Sequence, residues 1–408
     1  MRDKTAKKGS SRPGAVPAIV LGTGLTALGV VRCLGRKRIP AYCISEDLEM
    51  ESHSRWCREM TTRVGPLDDV AGLVSCLNLL PFDRAVLFPC SDHWTLEVLR
   101  LPHRLRTRFP SSASSAEVNR RFVEKMRFMD LLREAGVPHP RSAPVESPDD
   151  VSALTREWGG RVFLKPSNSQ LFHRRFGEKA ILVSSVDDAI ARFRIAHEEG
   201  LGFILQEYIP GDASAHHFID GFVNRDHEVI TCFARRRLRM HPADFGNSSC
   251  MVSEDPGQVE PAIEVLKTIF KTAGYSGIFS AEFKFDERDG FFKILEVNCR
   301  PWWYIEFAAR CGIDVVEMAY CDALEQPVSA PRSYDVGVSF VYPYYDYQAI
   351  KNLPREIRPG IFKWLGTVVR SKQPVAAWDD PVPWIAGIGS LLSRRLNYWL
   401  RATETSRK

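Results

Sequence analysis

The chain has 408 residues, of which 44% are apolar and 26% charged, with a formal net charge of +5. That length accommodates two or three domains and a large core, and the small basic excess, concentrated near the termini, argues for no nucleic-acid partner. No apolar run is long enough to span a bilayer and no signal peptide is evident, while ten cysteines without a CxxC pair suit reduced, mostly buried thiols in a cytoplasmic protein.

Residues 1–16 read as a disordered tail. From 17 to 115 strand and helix signals alternate. PAIVLG is a buried strand, Thr23 to Gly35 a helix, AYCIS a second strand, and RAVLFPCSD (84–92) a strand ending in polar residues. This rhythm predicts an open, mostly parallel sheet. The turn Gly22-Thr23-Gly24-Leu25-Thr26-Ala27 fits G-x-G-x-x-A, and Glu46 and Asp47 close the next strand. That is the outline of a dinucleotide site, yet the same turn also packs helix on strand with no nucleotide, and both readings stand.

Residues 117–136 have helical periodicity, with Phe122, Met126, Met129, Leu131 and Leu132 on one side, and VPHPRS ends the helix. Strands follow at 161–165, 179–183 and 202–208, with a helix at 187–199, and Pro210-Gly211 turns the chain. Further strands are expected at 216–223 and 228–237, then a polar loop at 239–250, helices at 258–273 and 304–325, and a Pro- and aromatic-rich tail from 331. The chain closes on an amphipathic helix over 384–400. Its stripe of Ile385, Ile388, Leu391, Leu392, Leu396 and Trp399 either packs on the core or rests on an anionic membrane surface.

Between the last two long helices lies FSAEFKFDERDGFFKILEVNCRP (279–301), a hairpin closed by Asp289-Gly290. Phe279, Ala281, Phe283 and Phe285 alternate with Ser280, Glu282 and Lys284; Leu295 and Val297 point one way, Glu296 and Asn298 the other. With an even register Glu282, Glu296 and Asn298 share a face, where diagonal neighbours lie roughly 7–8 Å apart. Two carboxylates and an amide oxygen so placed can hold hard divalent cations, and Arg300 adds a fixed positive charge. Lys165, at the end of RVFLK, can reach a phosphate, but taken alone it reads better as a surface lysine at a strand end. QEYIPG (206–211) runs from an apolar strand into a turn and can offer backbone groups to a purine edge. Arg235, Arg236, Arg237 and Arg239 divide between solvent and an anionic pocket. The isolated histidines, His216 and His217 among them, have no zinc spacing, and Walker A, kinase-loop and G-x-S-x-G motifs are absent.

Taken in order, Lys125 on its helix, Lys165, QEYIPG and the Glu hairpin resemble the ATP-grasp superfamily over residues 18–325. LEVNCRP is similar to its E-x-N-x-R signature, and EKMRFMDLLREAGVPHP resembles the helix carrying its first nucleotide-binding lysine. The resemblance implies a fold of α/β and α+β type. A Rossmann-like pre-ATP-grasp domain (17–115) would precede a two-lobed ATP-grasp domain (116–330, lid subdomain about 140–208) and a C-terminal extension (331–408). It implies that Lys125 and Lys165 contact ATP phosphates, with Lys179 at the end of the lid loop. Gln206, Glu207, Tyr208 and Ile209 would hold the adenine and Asp212 the ribose. Glu282, Glu296 and Asn298 would hold one or two Mg2+ ions, or Mn2+, while Arg300 and Lys165 act on the transferring phosphoryl group. The implied reaction activates a carboxylate as an acyl phosphate and joins it to an amine, with small-molecule substrates and, as an allowed assembly, a homodimer.

RRRLRMHPADFGNSS (235–249) resembles the substrate-side segment of amino-acid ligases, which points to Arg237, and Ser91, Asp92 and His93 can face the same cleft. The 167–179 loop departs from the family pattern, having Gly177 alone where relatives are glycine-rich, and His173, Arg174 and Arg175 where backbone donors are usual. Three other readings remain: a carboxylase or carbamoyl-phosphate-type enzyme, a dinucleotide-binding oxidoreductase, and a non-catalytic nucleotide sensor.

Overall fold

The structure, a computed structural model, describes residues 14–45, 49–60, 69–166, 180–197, 202–242 and 246–387. Its first sheet is parallel, in the order β3-β2-β1-β4, from β1 (Ala18–Leu21), β2 (Ala41–Ile44), β3 (Cys57–Arg58) and β4 (Val86–Pro89). Helices α1 (Gly24–Arg36), α2 (Val70–Leu79), α3 (Asp92–Leu99) and α4 (His103–Arg108) accompany it. Every residue of β1 is buried, which is why AIVL reads as an unbroken apolar run. Ile19 and Leu21 pack with Leu73, Leu77 and Leu105; Val20 faces the other way, against Ile305 and Phe307.

One continuous helix is expected over 117–136, but two are found. α5 (Ala116–Val123) and α6 (Lys125–Ala135) are separated at Glu124, whose φ of −83° and ψ of 113° are extended. The break lets Phe122, Phe128, Leu131 and Leu132 share one core, leaves Met126 exposed, and makes Lys125 the first residue of α6.

An antiparallel sheet in the order β5-β8-β6-β7 follows: β5 (Ser142–Val145), β6 (Val162–Pro166), β7 (Ile181–Val183) and β8 (Phe203–Glu207). Helices α7 (Pro148–Glu157) and α8 (Val186–His197) bury Val151, Ala189 and Phe193 against it. Neither β5 nor α7 is expected from the sequence. β5 holds Pro144, tolerated because the strand is an edge. α7 begins with a capping box between Ser147 and Asp150.

The largest sheet runs β13-β12-β9-β10-β11-β14, from β9 (His216–Val223), β10 (Val229–His241), β11 (Asn247–Glu254), β12 (Gly277–Asp286), β13 (Phe291–Asn298) and β14 (Ser339–Val341). The expected loop at 239–250 is thus mostly strand: β10 and β11 stay paired out to His241 and Asn247. One face packs on α9 (Glu260–Ala273) together with α5 and α6. The other packs on α10 (Ile305–Arg310) and α11 (Val315–Ala323), and through them on α1 and β1. A single helix over 304–325 is prevented at Gly312, whose φ of 112° few other residues adopt.

After β14 come α12 (Pro343–Lys351) and α13 (Ile361–Arg370). The chain then returns to α1, where the fully buried Arg32 bonds Asp380 Oδ2 at 3.0 Å, Glu306 Oε2 at 3.1 Å and the carbonyls of Pro374 and Val375 at 2.9 and 2.8 Å. Of the expected helix over 384–400 only residues 384–387 are described, and there Trp384 and Ile385 are exposed. Among the described residues no helix is long and apolar enough to cross a membrane. All ten cysteines are free.

Candidate active site

Strand register builds the acidic face. Glu282 lies opposite Glu296 and Ser280 opposite Asn298, so Glu282, Glu296 and Asn298 project from the same side of the β12–β13 pair. Beyond them Phe283 pairs with Ile294, which leaves Leu295 as the surplus residue of a bulge. Simple alternation places Leu295 beside Val297. The bulge instead gives Ile294 and Val297 to the core and turns Leu295 to the wall of a cleft. Other elements contribute Lys125 at the start of α6, Lys165 near the end of β6, Gln206 on β8 and Asp92 at the start of α3 to the same cleft.

The charges are unevenly compensated. Burial alone would raise the pKa of Glu282, but Arg237 Nη2 at 3.2 Å and His216 Nδ1 at 2.7 Å, with Arg235, bring it down to about 2. Burial outweighs the pull of Glu282 on His216 and lowers its pKa, so the neutral ring donates its Nδ1–H to the carboxylate. Glu296 behaves oppositely. It opens to the cleft, yet the surrounding protein, then the charges of Glu282 and Asp92, push its pKa up against Lys165 and Arg300. Burial lowers the pKa of Lys165, opposed by Glu296 and Glu282. Burial and then Lys165 bring Lys125 down to about 8. Arg300 donates to Asp92 through Nε at 2.7 Å and Nη2 at 3.3 Å, and to Asn298 Oδ1 at 3.0 Å.

The remaining expected site residues are placed as follows. Arg237 is buried, donating to Ser248 Oγ at 2.9 Å and lying over the Phe218 ring at 4.9 Å, so its contact with the cleft is through Glu282. Ser91 caps α3, accepting from the Trp94 amide at 3.1 Å. Of the 206–209 segment only Gln206 lines the cavity. The Glu207 carboxylate is held by Arg141 and by Arg288 Nη2 at 2.8 Å. Tyr208 lies beneath Arg161, 4.0 Å from its ring centroid, with Lys284 at 5.0 Å. Ile209 is buried, and Asp212 is exposed and caps a short turn by accepting from the Ser214 amide at 2.7 Å. Lys179 and the whole 167–179 loop lie outside the described residues.

None of the four arginines of β10 is merely solvated. Arg235 pairs with Asp220 at 2.6 Å, Arg236 with Glu254 at 3.6 Å, and Arg239 with Asp346 at 2.8 Å, besides Arg237 with Glu282. His216, left among the isolated histidines by its sequence context, sits opposite Lys284 on the adjacent strand and so beside Glu282. The β9–β12 register is the signal that finds it.

The glycine turn is closed by the protein itself. Glu51, fully buried, accepts the Gly24 amide at 2.9 Å through Oε2 and the Glu49 amide at 2.8 Å through Oε1. A carboxylate therefore stands where a dinucleotide would place its pyrophosphate. Glu46 and Asp47 lie outside the described residues.

Asp92, Glu296, Asn298, Lys125 and Lys165 line one cleft, with Glu282 paired to Glu296 and Arg300 bonded to Asp92 and Asn298 behind them, and such a set can hold a divalent cation together with a polyanion. Among the described residues no three His, Cys, Asp or Glu side chains form a metal cage. A cation here would take the Asn298 oxygen and water in addition.

The fold is the ATP-grasp fold of the solved structures it resembles. No family model matches the chain. A curated relative is D-aspartate ligase of Enterococcus faecium (strain Aus0004), 25% identical over 242 residues, covering 57% of this chain and 57% of that protein, so the chain spans under two thirds of its relative. Carboxyaminoimidazole ribonucleotide synthase from Aspergillus clavatus, solved with ATP, superposes with a TM-score of 0.61 at 14% identity, over 80% of both chains. The biotin carboxylase domain dimer of Hydrogenobacter thermophilus 2-oxoglutarate carboxylase, solved with MgADP, ADP and bicarbonate, gives 0.61 at 17% identity, over 80% of this chain and 73% of that one.

Proposed function

We propose that this chain is an ATP- and Mg2+-dependent ligase. It activates a small carboxylate as an acyl phosphate and joins it to an amine, one partner being an amino acid or a similar small molecule. The observation that carries the reading is the pairing of Glu282 with Glu296, with Asn298 and Arg300 beside them and Lys125 and Lys165 lining the same cleft.

Held by Glu282, Glu296 and Asn298, magnesium would neutralise a triphosphate. The donor set fits such an ion, because a cation beside Glu296 offsets the burial, and then the repulsion from Glu282 and Asp92, that raise its pKa. Lys125 and Lys165 bind phosphate oxygens, and Arg300, aimed by Asp92, steadies the charge that develops as the phosphoryl group moves. Arg237 acts by keeping Glu282 ionised. The 206–209 segment presents backbone and the Gln206 side chain to the base. Glu207, Tyr208, Ile209, Asp212 and Lys179 keep secondary places in this assignment, and Ser91 serves to set α3 and with it Asp92.

In this reading residues 17–115 form the Rossmann-like pre-ATP-grasp domain and 116–330 the ATP-grasp domain, with its lid at about 140–208 and a C-terminal extension beyond. A cytoplasmic setting suits it, supported by ten free thiols, and a homodimer is an allowed assembly.

The dimeric biotin carboxylase domain supports a second reading, in which bicarbonate is the acid. A single experiment separates them: ADP release by the purified protein with Mg-ATP, against paired amino acids and against bicarbonate. Release that requires an amino-acid pair supports the ligase; release that requires bicarbonate favours the second reading; no release in any arm sinks both.

A further inference from the structure

Helix α13 turns one side inward and leaves an apolar side in water. Trp364 faces the core, its Nε1 donating to the buried Asp346 at 2.9 Å and its ring 5.4 Å from that of Tyr347. At about 100° per residue, Ile361, Leu365, Val369 and Phe362 fall on one arc away from Trp364, with Lys363 and Arg370 on the flank beyond. Phe362 is 86% exposed and Val369 81%, while Ile361, Leu365 and the preceding Ile357 are also exposed.

Charge is concentrated in the same part of the chain. Residues 351–387 hold six Lys and Arg against three Asp and Glu. Two of those acids, Asp379 and Asp380, are already paired with Arg36 and Arg32.

We propose that the outer face of α13 docks on an anionic phospholipid bilayer. Ile361, Phe362, Leu365 and Val369 enter the headgroup boundary, and Lys363 and Arg370 meet lipid phosphates. A second copy would also bury the apolar arc, but it would bring two basic rims together. The C-terminal segment, with Arg394, Arg395 and Arg401, would do the same. An anionic surface satisfies both the arc and its flank.

The test is co-sedimentation of the full-length protein with phosphatidylcholine vesicles, with and without phosphatidylglycerol. Expected are binding that requires phosphatidylglycerol and falls with salt, and a loss of about tenfold or more in the Phe362→Ser/Val369→Ser variant. A Lys363→Glu/Arg370→Glu variant should lose binding while retaining its thermal midpoint and its ADP release. The proposal is overturned if the wild type shows no preference for phosphatidylglycerol, or if both variants bind as it does. It is equally overturned if the Phe362/Val369 variant only converts a dimer to a monomer in sedimentation velocity. Loss of binding on deleting 388–408, with the Phe362/Val369 variant unaffected, would also overturn it by moving the contact off α13.

Discussion

Asp92 and Arg300, 208 residues apart, form a two-pronged ion pair at 2.7 and 3.3 Å across the boundary between the parallel sheet and the Glu hairpin. The pair fixes the guanidinium plane against Asn298. In Asp92→Ala, kcat for ADP release should fall roughly tenfold or more, with KM for ATP little changed, since charge-assisted bonds contribute about 1.5–3 kcal/mol and this one is partly solvated. Asp92→Asn, retaining one acceptor, should recover part of the loss. Equal losses in kcat and thermal midpoint would mark the pair as merely structural.

Glu296→Ala should abolish ADP release, a loss of at least about a hundredfold by comparison with other single electrostatic contacts to a transition state. The side chain opens to the cleft, so circular dichroism and the melting midpoint should stay at wild-type values. Undiminished Mg2+-dependent turnover would remove Glu296 from the chemistry.

With a pKa brought down to about 8, Lys125 is charged below that pH and neutral above it. KM for ATP in the wild type should therefore rise as the pH passes 8. Lys125→Arg keeps its charge through the same range. Its KM profile should be flat there, and a profile that rises like the wild type's would assign the titration elsewhere.

Removing the Arg32 side chain leaves Asp380 and part of Glu306 buried without their cation. Arg32→Ala should lower stability by about 3–5 kcal/mol, read by chemical denaturation. A change within about 0.5 kcal/mol, typical of a surface site, would show that water replaces the guanidinium.

Because Glu51 occupies the Gly24 amide, NADH fluorescence should not change on titration with the protein at concentrations where ATP binds. Glu51→Ala should weaken the start of α1 by about 1 kcal/mol, as loss of a helix cap does. Saturable NADH binding by the wild type would reinstate a dinucleotide site.

What sequence could disclose follows from distance along the chain. Glu282, Glu296 and Asn298 are legible as one face because strand alternation is local and the hairpin is short. Lys125 and Lys165 are legible only through a resemblance, since nothing nearby distinguishes them from surface lysines. The bulge at Leu295, the break at Glu124 and the paired strands within 239–250 are decided by packing against distant elements, which no local pattern carries. Glu207 illustrates the same limit: its polar position beside a turn suggests a ligand contact, but Arg141 and Arg288, 66 and 81 residues away, hold its carboxylate. Met126 shares the helical period of its neighbours yet lies outside the core, because the helix breaks two residues earlier, at Glu124.

The extra residue in β13 divides the hairpin into two parts that can vary separately. Ile294 pairs with Phe283 and Glu296 with Glu282, so excising Leu295 would restore plain alternation and leave the acidic groups aimed as before. What would vanish is one greasy side chain from a cleft wall that Phe128, Met129 and Ile204 also line. Indels at this one position offer a route by which descendants of the chain could reshape whatever flat group they grip while conserving the chemistry next door.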